Sequence, residues 1–244
     1  KRHPRRRLFI LLLLLCAAAS AWAAFHGISP KQQSDYLWIM THRELYTEHM
    51  LSSLDRNPEL TEFLRGYPTA SGAVTGGISD DEMQETYPLL LQFDPRWGYV
   101  PYGDDDIAFS GCGPTALSMV IFSLTRDAAA TPDALAAYAS AGGYYVPGTG
   151  TAWSLMTDAA EHYGLSVSQL PPDESTMRSA LAEGKMLVCS VGPGDFTTSG
   201  HFIVIRGCGD GGFFVNDPFS RRNSEKTWSY ETLAPQIANI WAYG

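Results

Sequence analysis

The chain is most constrained by Ser110-Gly111-Cys112-Gly113-Pro114-Thr115-Ala116-Leu117-Ser118-Met119-Val120. A cysteine stands between two glycines, a proline follows, and an apolar run continues at helical spacing. Leu117, Val120, Ile121 and Leu124 share one face, with Met119 and Phe122 alongside. Pro114 suits a first helical turn, where a missing N–H costs nothing. Gly111 and Gly113 let the backbone turn sharply and let another chain approach closely. The pattern therefore predicts a helix over 113–124 with Cys112 at its N-terminus. There the unpaired N–H groups and the helix dipole favour an anion, and the thiolate is the nucleophilic form of cysteine. The competing reading is a buried cysteine packed as a small hydrophobe.

A nucleophilic thiol needs a base. Gly200-His201-Phe202-Ile203-Val204-Ile205 places a histidine at the mouth of an apolar, β-branched run. The glycine-rich turn Gly207-Cys208-Gly209-Asp210-Gly211-Gly212 follows, then Phe213-Phe214-Val215-Asn216-Asp217-Pro218. This reads as a β-hairpin, with His201 opposite a residue between Asp217 and Ser220. Asp217 is the only carboxylate in that window and is the candidate to orient the imidazole. Adjacent strand residues face opposite sides, so only one of Asn216 and Asp217 can serve. The fourth candidate is Gln92, in Pro88-Leu89-Leu90-Leu91-Gln92-Phe93. Acyl transfer needs donors aimed at a developing oxyanion, and a side-chain amide beside the Cys112 N–H supplies one. Read alone, Gln92 is a polar residue ending an apolar strand.

The order Gln92, Cys112-Gly113-Pro114, Gly200-His201, Asp217-Pro218 resembles the papain-like cysteine peptidases of the bacteriocin-processing, double-glycine leader peptidase type. The likeness covers residues 86–244. Gly143-Tyr144-Tyr145, Gly192-Pro193-Gly194-Asp195-Phe196 and Trp228 also resemble exported bacterial members of that group. The resemblance implies a papain-like α+β fold and thiol hydrolase chemistry. It implies Cys112 as nucleophile, His201 as base, Asp217 as orienter and Gln92 as oxyanion donor. It implies no cofactor. The stretch between Gln92 and Cys112 is long for the group, and it carries Tyr99, Tyr102 and the run Asp104-Asp105-Asp106.

Export is the second theme. Lys1, Arg2, Arg5, Arg6 and Arg7 precede eight residues that are almost all leucine, and Ala21-Trp22-Ala23 closes the segment. This reads as a secretory signal over 1–23. Residues 8–25 carry no charge, so an uncleaved membrane anchor is the alternative, with the basic flank cytoplasmic either way. The expected location is extracytoplasmic, secreted or held by that segment. The whole chain carries a net charge of −9, and removal of 1–23 takes away five basic residues and no acidic ones, leaving −14. That charge excludes nucleic acid as a partner and excludes electrostatic adhesion to an anionic membrane. The expected partner is a peptide or protein substrate, and the expected state is a monomer. Cys112, Cys189 and Cys208 follow the signal. Cys189 should pair across strands near Ile203, too far from Cys208 for a bridge, so no disulfide is expected. No metal site is expected, since no histidine or cysteine cluster has ligand spacing and the aspartate run lacks a calcium-loop pattern.

Of the 244 residues, 45% are hydrophobic, enough for one good-sized domain. Residues 24–68 read as a helical arm broken at Asn57-Pro58, and 69–82 as a glycine-rich linker. The domain over 83–244 should carry helices over 113–124, 132–141, 151–163 and 175–183. Strands are expected over 165–170, 186–191, 201–206, 213–216 and 239–242. Helices first and an antiparallel sheet after make an α+β domain. Trp153, Gly194, Phe196 and Gly200 are candidates to line the substrate path, with Gly111 and Gly113 beside the thiol; Trp97 and Tyr145 are further aromatic candidates, and core packing is the expected fate of at least two of the four aromatics. Two rival functions use the same residues or scaffold. One is a cell-wall amidase or acyltransferase with the same triad, and the other a non-catalytic peptide-binding module.

Overall fold

The computed structural model describes residues 29–244 and divides into two compact units, one ending at Ala70 and one spanning Ser71–Gly244. The stretch expected as a signal, with Cys16, lies outside the described residues.

The first unit is helical. Its first helix, Pro30–Thr41, opens on a reciprocal cap in which Ser29 and Gln32 satisfy each other's backbone N–H. The next, Glu48–Arg56, is capped by Thr47. Asn57 caps the short turn Pro58–Leu60, which leads into Thr61–Gly66. Ile39, Met50, Leu51, Leu54, Leu60, Phe63 and Leu64 are buried, and the Tyr46 hydroxyl donates to the Leu64 carbonyl at 2.9 Å. The arm thus has a small core of its own. The break expected at Asn57-Pro58 is present, and a second one lies at Arg43–Leu45.

The second unit is built on a six-stranded antiparallel sheet. Ahead of it lie two small ribbons, β1 (Pro101–Tyr102) with β2 (Asp105–Asp106), and β3 (Tyr145–Val146) with β4 (Gly150–Thr151). The main strands are β5 (Val167–Leu170), β6 (Met186–Val191), β7 (His201–Gly209), β8 (Gly212–Asn216), β9 (Thr227–Trp228) and β10 (Ile237–Tyr243). Their order across the sheet is β5-β10-β6-β7-β8-β9. Cys189 lies opposite Ile203, the register expected from the loop between β6 and β7.

Both faces of the sheet are covered, so β6 is buried at every residue and apolar at all but Ser190. On one face Met186, Val188, Phe202, Val204, Trp241 and Tyr243 pack against the helices Cys112–Thr125, Pro132–Ala141 and Leu155–His162. On the other, Leu187, Cys189, Ile203, Ile205, Phe213 and Ile240 meet Met177 and Ala180 of the helix Glu174–Ala182. Alternate residues of each strand feed the two cores. Each fully buried large aliphatic or aromatic side chain contributes about 1.5–3 kcal/mol of burial. The Cys112 helix is apolar all round and buried from Gly113 to Phe122, as befits a helix wedged between the sheet and its neighbours. The architecture is α+β.

Three expectations differ from the structure. The helix expected over 151–163 begins only at Leu155, because Thr151 is drawn into β4 by its pairing with Tyr145. Residues 88–91 form no strand, and Gln92 sits in a turn. Of residues 69–82, expected as a linker, those from Ser71 onward belong to the second unit and are bonded within it at Thr75, Gly77 and Glu82. Thr75 N–H donates to the Arg96 carbonyl at 2.8 Å. Ser79 caps the short helix Asp80–Gln84, and Glu82 takes a two-pronged ion pair from Arg96, both contacts at 2.7 Å.

Candidate active site

Cys112 is the first residue of its helix and is half-buried. The helix cap, Gly111, supplies no side-chain bond, so the first-turn N–H groups remain oriented toward the thiol end. The two glycines are needed for packing. A Cβ on Gly111 would lie 2.5 Å from the Ile107 carbonyl oxygen, and one on Gly113 would lie 2.9 Å from three Thr151 side-chain atoms. The close approach these glycines allow is made by the chain's own Ile107 and Thr151, and both glycines are buried. This gives the pair a different purpose from the substrate contact expected of them.

His201 opens β7 and is 8% exposed. Its Nε2 meets Asp217 Oδ1 at 2.8 Å, and Asp217 is 1% exposed. With Nε2 engaged, Nδ1 is the ring nitrogen left for the thiol. Burial by itself would lower the imidazole pKa. The Asp217 carboxylate outweighs that by charge and hydrogen bond, and the Cys112 thiol acts in the same direction by both routes. His201 therefore stands well above the ordinary histidine value. Asn216, the alternative orienter, is turned elsewhere. Its Oδ1 accepts from Arg206 Nε at 2.9 Å and its Nδ2 donates to the Pro88 carbonyl at 3.1 Å.

Gln92 is 2% exposed and joins the segments that carry the thiol and the carboxylate. Its main-chain N–H donates to the Pro218 carbonyl at 2.8 Å, next to Asp217. Its Nε2 donates to the Ala108 carbonyl at 2.7 Å, four residues before Cys112. One N–H of that amide is thereby used and one remains. Oε1 has no partner among the described residues.

Tyr102 was not assigned a role from sequence, yet it belongs to this neighbourhood. It is 1% exposed and shares a 3.0 Å hydrogen bond with Thr151, the residue that packs on Gly113. Burial pushes its pKa up to about 12, opposed by the Thr151 hydrogen bond and reinforced by the Cys112 charge, so its hydroxyl stays neutral. The long insertion before Cys112 thus contributes β1 and β2, which buttress the helix start. Asn223 was also missed. Its Nδ2 donates to Asp217 Oδ2 at 2.9 Å. The signal was Ser220, a helix-cap residue just past Asp217-Pro218.

The candidate substrate walls divide by burial. Trp153 is 50% exposed and meets Trp241 edge-on at 5.6 Å, and Tyr145 is half-buried against Tyr102. Trp97 is fully buried, and Phe196 is buried against Trp228 at 4.5 Å in the core of the opposite sheet face. Neither Trp97 nor Phe196 presents a surface to a substrate. Gly194 and Gly200 are exposed in the loop before His201. That loop is held by Gln236, which accepts from Asp195 N–H at 2.6 Å and donates to its carboxylate at 2.8 Å. The other thiols lie elsewhere. Cys189 is fully buried in β6, and burial pushes its pKa far up, so it stays protonated. Cys208 is half-buried near the β7–β8 turn, opposite Phe213.

Comparison with solved structures finds the peptidase domain of Streptococcus ComA, a bi-functional ABC transporter involved in a quorum-sensing pathway. It is 16% identical with a TM-score of 0.43, over 58% of this chain and 93% of that one. A putative C39-like peptidase from Bacillus anthracis is 14% identical with a TM-score of 0.39, over 65% of this chain and 94% of that one. Comparison with curated proteins finds no match. The model of the Peptidase_C39 like family matches residues 84–243, most of the second unit and about two thirds of the chain, and the protein belongs to that family of cysteine peptidases.

Proposed function

We propose that this chain hydrolyses peptide bonds outside the cytoplasm through Cys112, His201 and Asp217, with Gln92 as oxyanion donor. The observation that carries the reading is the buried His201–Asp217 pair beside a half-exposed thiol at a helix start. His201 takes the thiol proton as Cys112 engages the substrate. The Cys112 sulfur attacks the substrate carbonyl carbon, forming a C–S bond and pushing an electron pair onto oxygen. The second N–H of Gln92 and the Cys112 main-chain N–H receive that oxyanion. Each such donor is worth about 10²–10³ in turnover. As the tetrahedral species collapses, the C–N bond breaks and the His201 imidazolium gives its proton to the leaving amine. Water then attacks the thioester, His201 takes the water's proton, and the carboxylic acid leaves as the thiol pair is restored.

The basic and then apolar start of the chain supports delivery across a membrane, and the acidic remainder supports a peptide rather than a nucleic acid as substrate. Trp153, half-exposed, and Tyr145, half-buried, remain the candidate aromatic surfaces for a peptide. The reading is tested with a peptide library and mass spectrometry on the full chain. New peptide ends should appear with the wild-type protein and vanish with Cys112→Ala and with His201→Ala. Cleavage retained by Cys112→Ala would sink the reading. Products lengthened by an added amine, in place of new free ends, would identify acyl transfer instead.

A further inference from the structure

The Asp217 carboxylate is held from several sides, and one of its contacts comes from a residue with no other evident task. Oδ1 accepts from His201 Nε2 and from the Phe219 N–H, each at 2.8 Å. The Asp217 N–H donates to Ser224 Oγ at 2.9 Å. The outer oxygen, Oδ2, accepts from Asn223 Nδ2 at 2.9 Å. Asn223 is itself braced along its backbone. Its N–H donates to Ser220 Oγ at 3.2 Å, and its carbonyl accepts from Trp228 Nε1 at 2.9 Å. The short helix Arg221–Ser224 is thus clamped between its Ser220 cap and β9, with the Asn223 amide directed at Asp217.

We propose that Asn223 is a positioning residue for the reaction: it fixes the Asp217 carboxylate so that Oδ1 stays on His201. The inference rests on the functional reading above. A carboxylate bound on one oxygen alone can swing about its Cβ–Cγ bond, and a buried anionic oxygen without a donor is costly. Asn223 removes both problems. Asp217 is what lifts His201, by charge and by hydrogen bond. A loosened Asp217 therefore lets the imidazolium lose its proton at lower pH. One net hydrogen bond corresponds to about 0.5–1 pH unit in that step.

The test is the pH profile of Cys112 alkylation by iodoacetate on the full chain, read by peptide mass mapping. Iodoacetate is an anion, so the His201 imidazolium draws it in, and the rate falls on the alkaline side as that charge is lost. Asn223→Leu roughly keeps the volume and removes the donor, and Asn223→Ala removes the side chain. In both, the alkaline fall should move to lower pH by about 0.5–1 unit. In the Asp217→Asn background, Asn223→Ala should move it no further. Thermal melting is followed alongside. A variant that melts earlier while its alkaline fall stays at the wild-type pH would overturn the proposal and leave Asn223 a scaffold residue. If wild-type Cys112 shows no alkaline fall at all, the thiol–imidazolium reading itself fails, an outcome distinct from a failure of Asn223 alone.

Discussion

Removing Asp217 separates its charge from its shape. Asp217→Ala takes away the acceptor for His201 Nε2, for the Phe219 N–H and for the Asn223 amide together. It leaves a buried imidazole without its carboxylate, and breaking a buried pair in this way costs about 3–5 kcal/mol. Asp217→Asn keeps the volume and one acceptor oxygen. That oxygen can still serve His201 and Phe219, while the new amide N–H₂ faces Asn223. Asn223 accommodates it by turning its own amide round, so that its oxygen accepts. The structural cost is then about 1 kcal/mol. The pH dependence has a definite sign. His201 is raised in the folded protein, so its contribution is complete below its unfolded value of roughly 6.5 and is lost as pH rises through the folded value. The gap between wild type and either variant should be widest in mildly acid solution and narrow toward alkaline pH. Urea unfolding at two pH values measures it. Equal costs for the two substitutions, or a gap that widens with rising pH, would refute the reasoning.

Other consequences concern the frame around the site. Arg96→Ala removes the Glu82 and Asp94 ion pairs and the bond to the Gly77 carbonyl, and should cost about 2 kcal/mol in urea unfolding. Burial alone would raise the Glu82 carboxyl, but hydrogen bonds and charge from Arg96, with help from Ser79, hold it below its usual value. The penalty should therefore be present above pH 4.5 or so and fade as acid protonates Glu82, and a penalty unchanged in acid would contradict this. A shortened chain starting at Ser71 should melt and label at Cys112 as the full chain does, whereas one starting at Glu85 should melt earlier; indistinguishable melting of the two would show that the Thr75 and Glu82 contacts contribute nothing. Gly113→Ala should destabilise by about 1–3 kcal/mol, because Thr151 is held by Tyr102 and cannot yield freely, and Gly111→Ala should cost more since it strikes the Ile107 backbone. An unfolding midpoint unchanged in both would count against the close packing described.

Local chemistry was legible wherever neighbouring residues decide it. The glycine–cysteine–glycine–proline run announced a helix start, and the helix begins at Cys112. The loop between β6 and β7 fixed Cys189 opposite Ile203, because side-chain alternation and loop length leave few registers. The β7–β8 turn brought His201 near Asp217, although the bulge between Ile205 and Gly207 was not foreseeable, since a bulge leaves no signature in alternation. Contacts distant in sequence were not legible. Residues 69–82 read as a linker because their glycines suggest a flexible chain, yet Arg96 recruits Glu82 and Gly77. Thr151 read as a helix start because nothing local shows that β3 would claim it. That two of the four candidate aromatics would be core was legible, but that these would be Trp97 and Phe196 was not, because an aromatic in a loop carries the same letters whether it faces a ligand or a core. Asn223 was passed over because its task exists only through Asp217, six residues earlier in the chain.

The central claim is that Cys112 is the reacting thiol and that His201 makes it so. It is tested most directly by treating the full chain at neutral pH with limiting iodoacetamide and locating the label by peptide mass mapping. Cys112 should be labelled ahead of Cys189 and Cys208, because Cys189 is buried and held protonated and Cys208 sits in β7 beside Arg178, with no helix N-terminus behind it. His201→Ala should slow the Cys112 reaction sharply while leaving Cys208 unchanged. Labelling that favours Cys189 or Cys208, or a Cys112 rate indifferent to His201→Ala, would contradict the account.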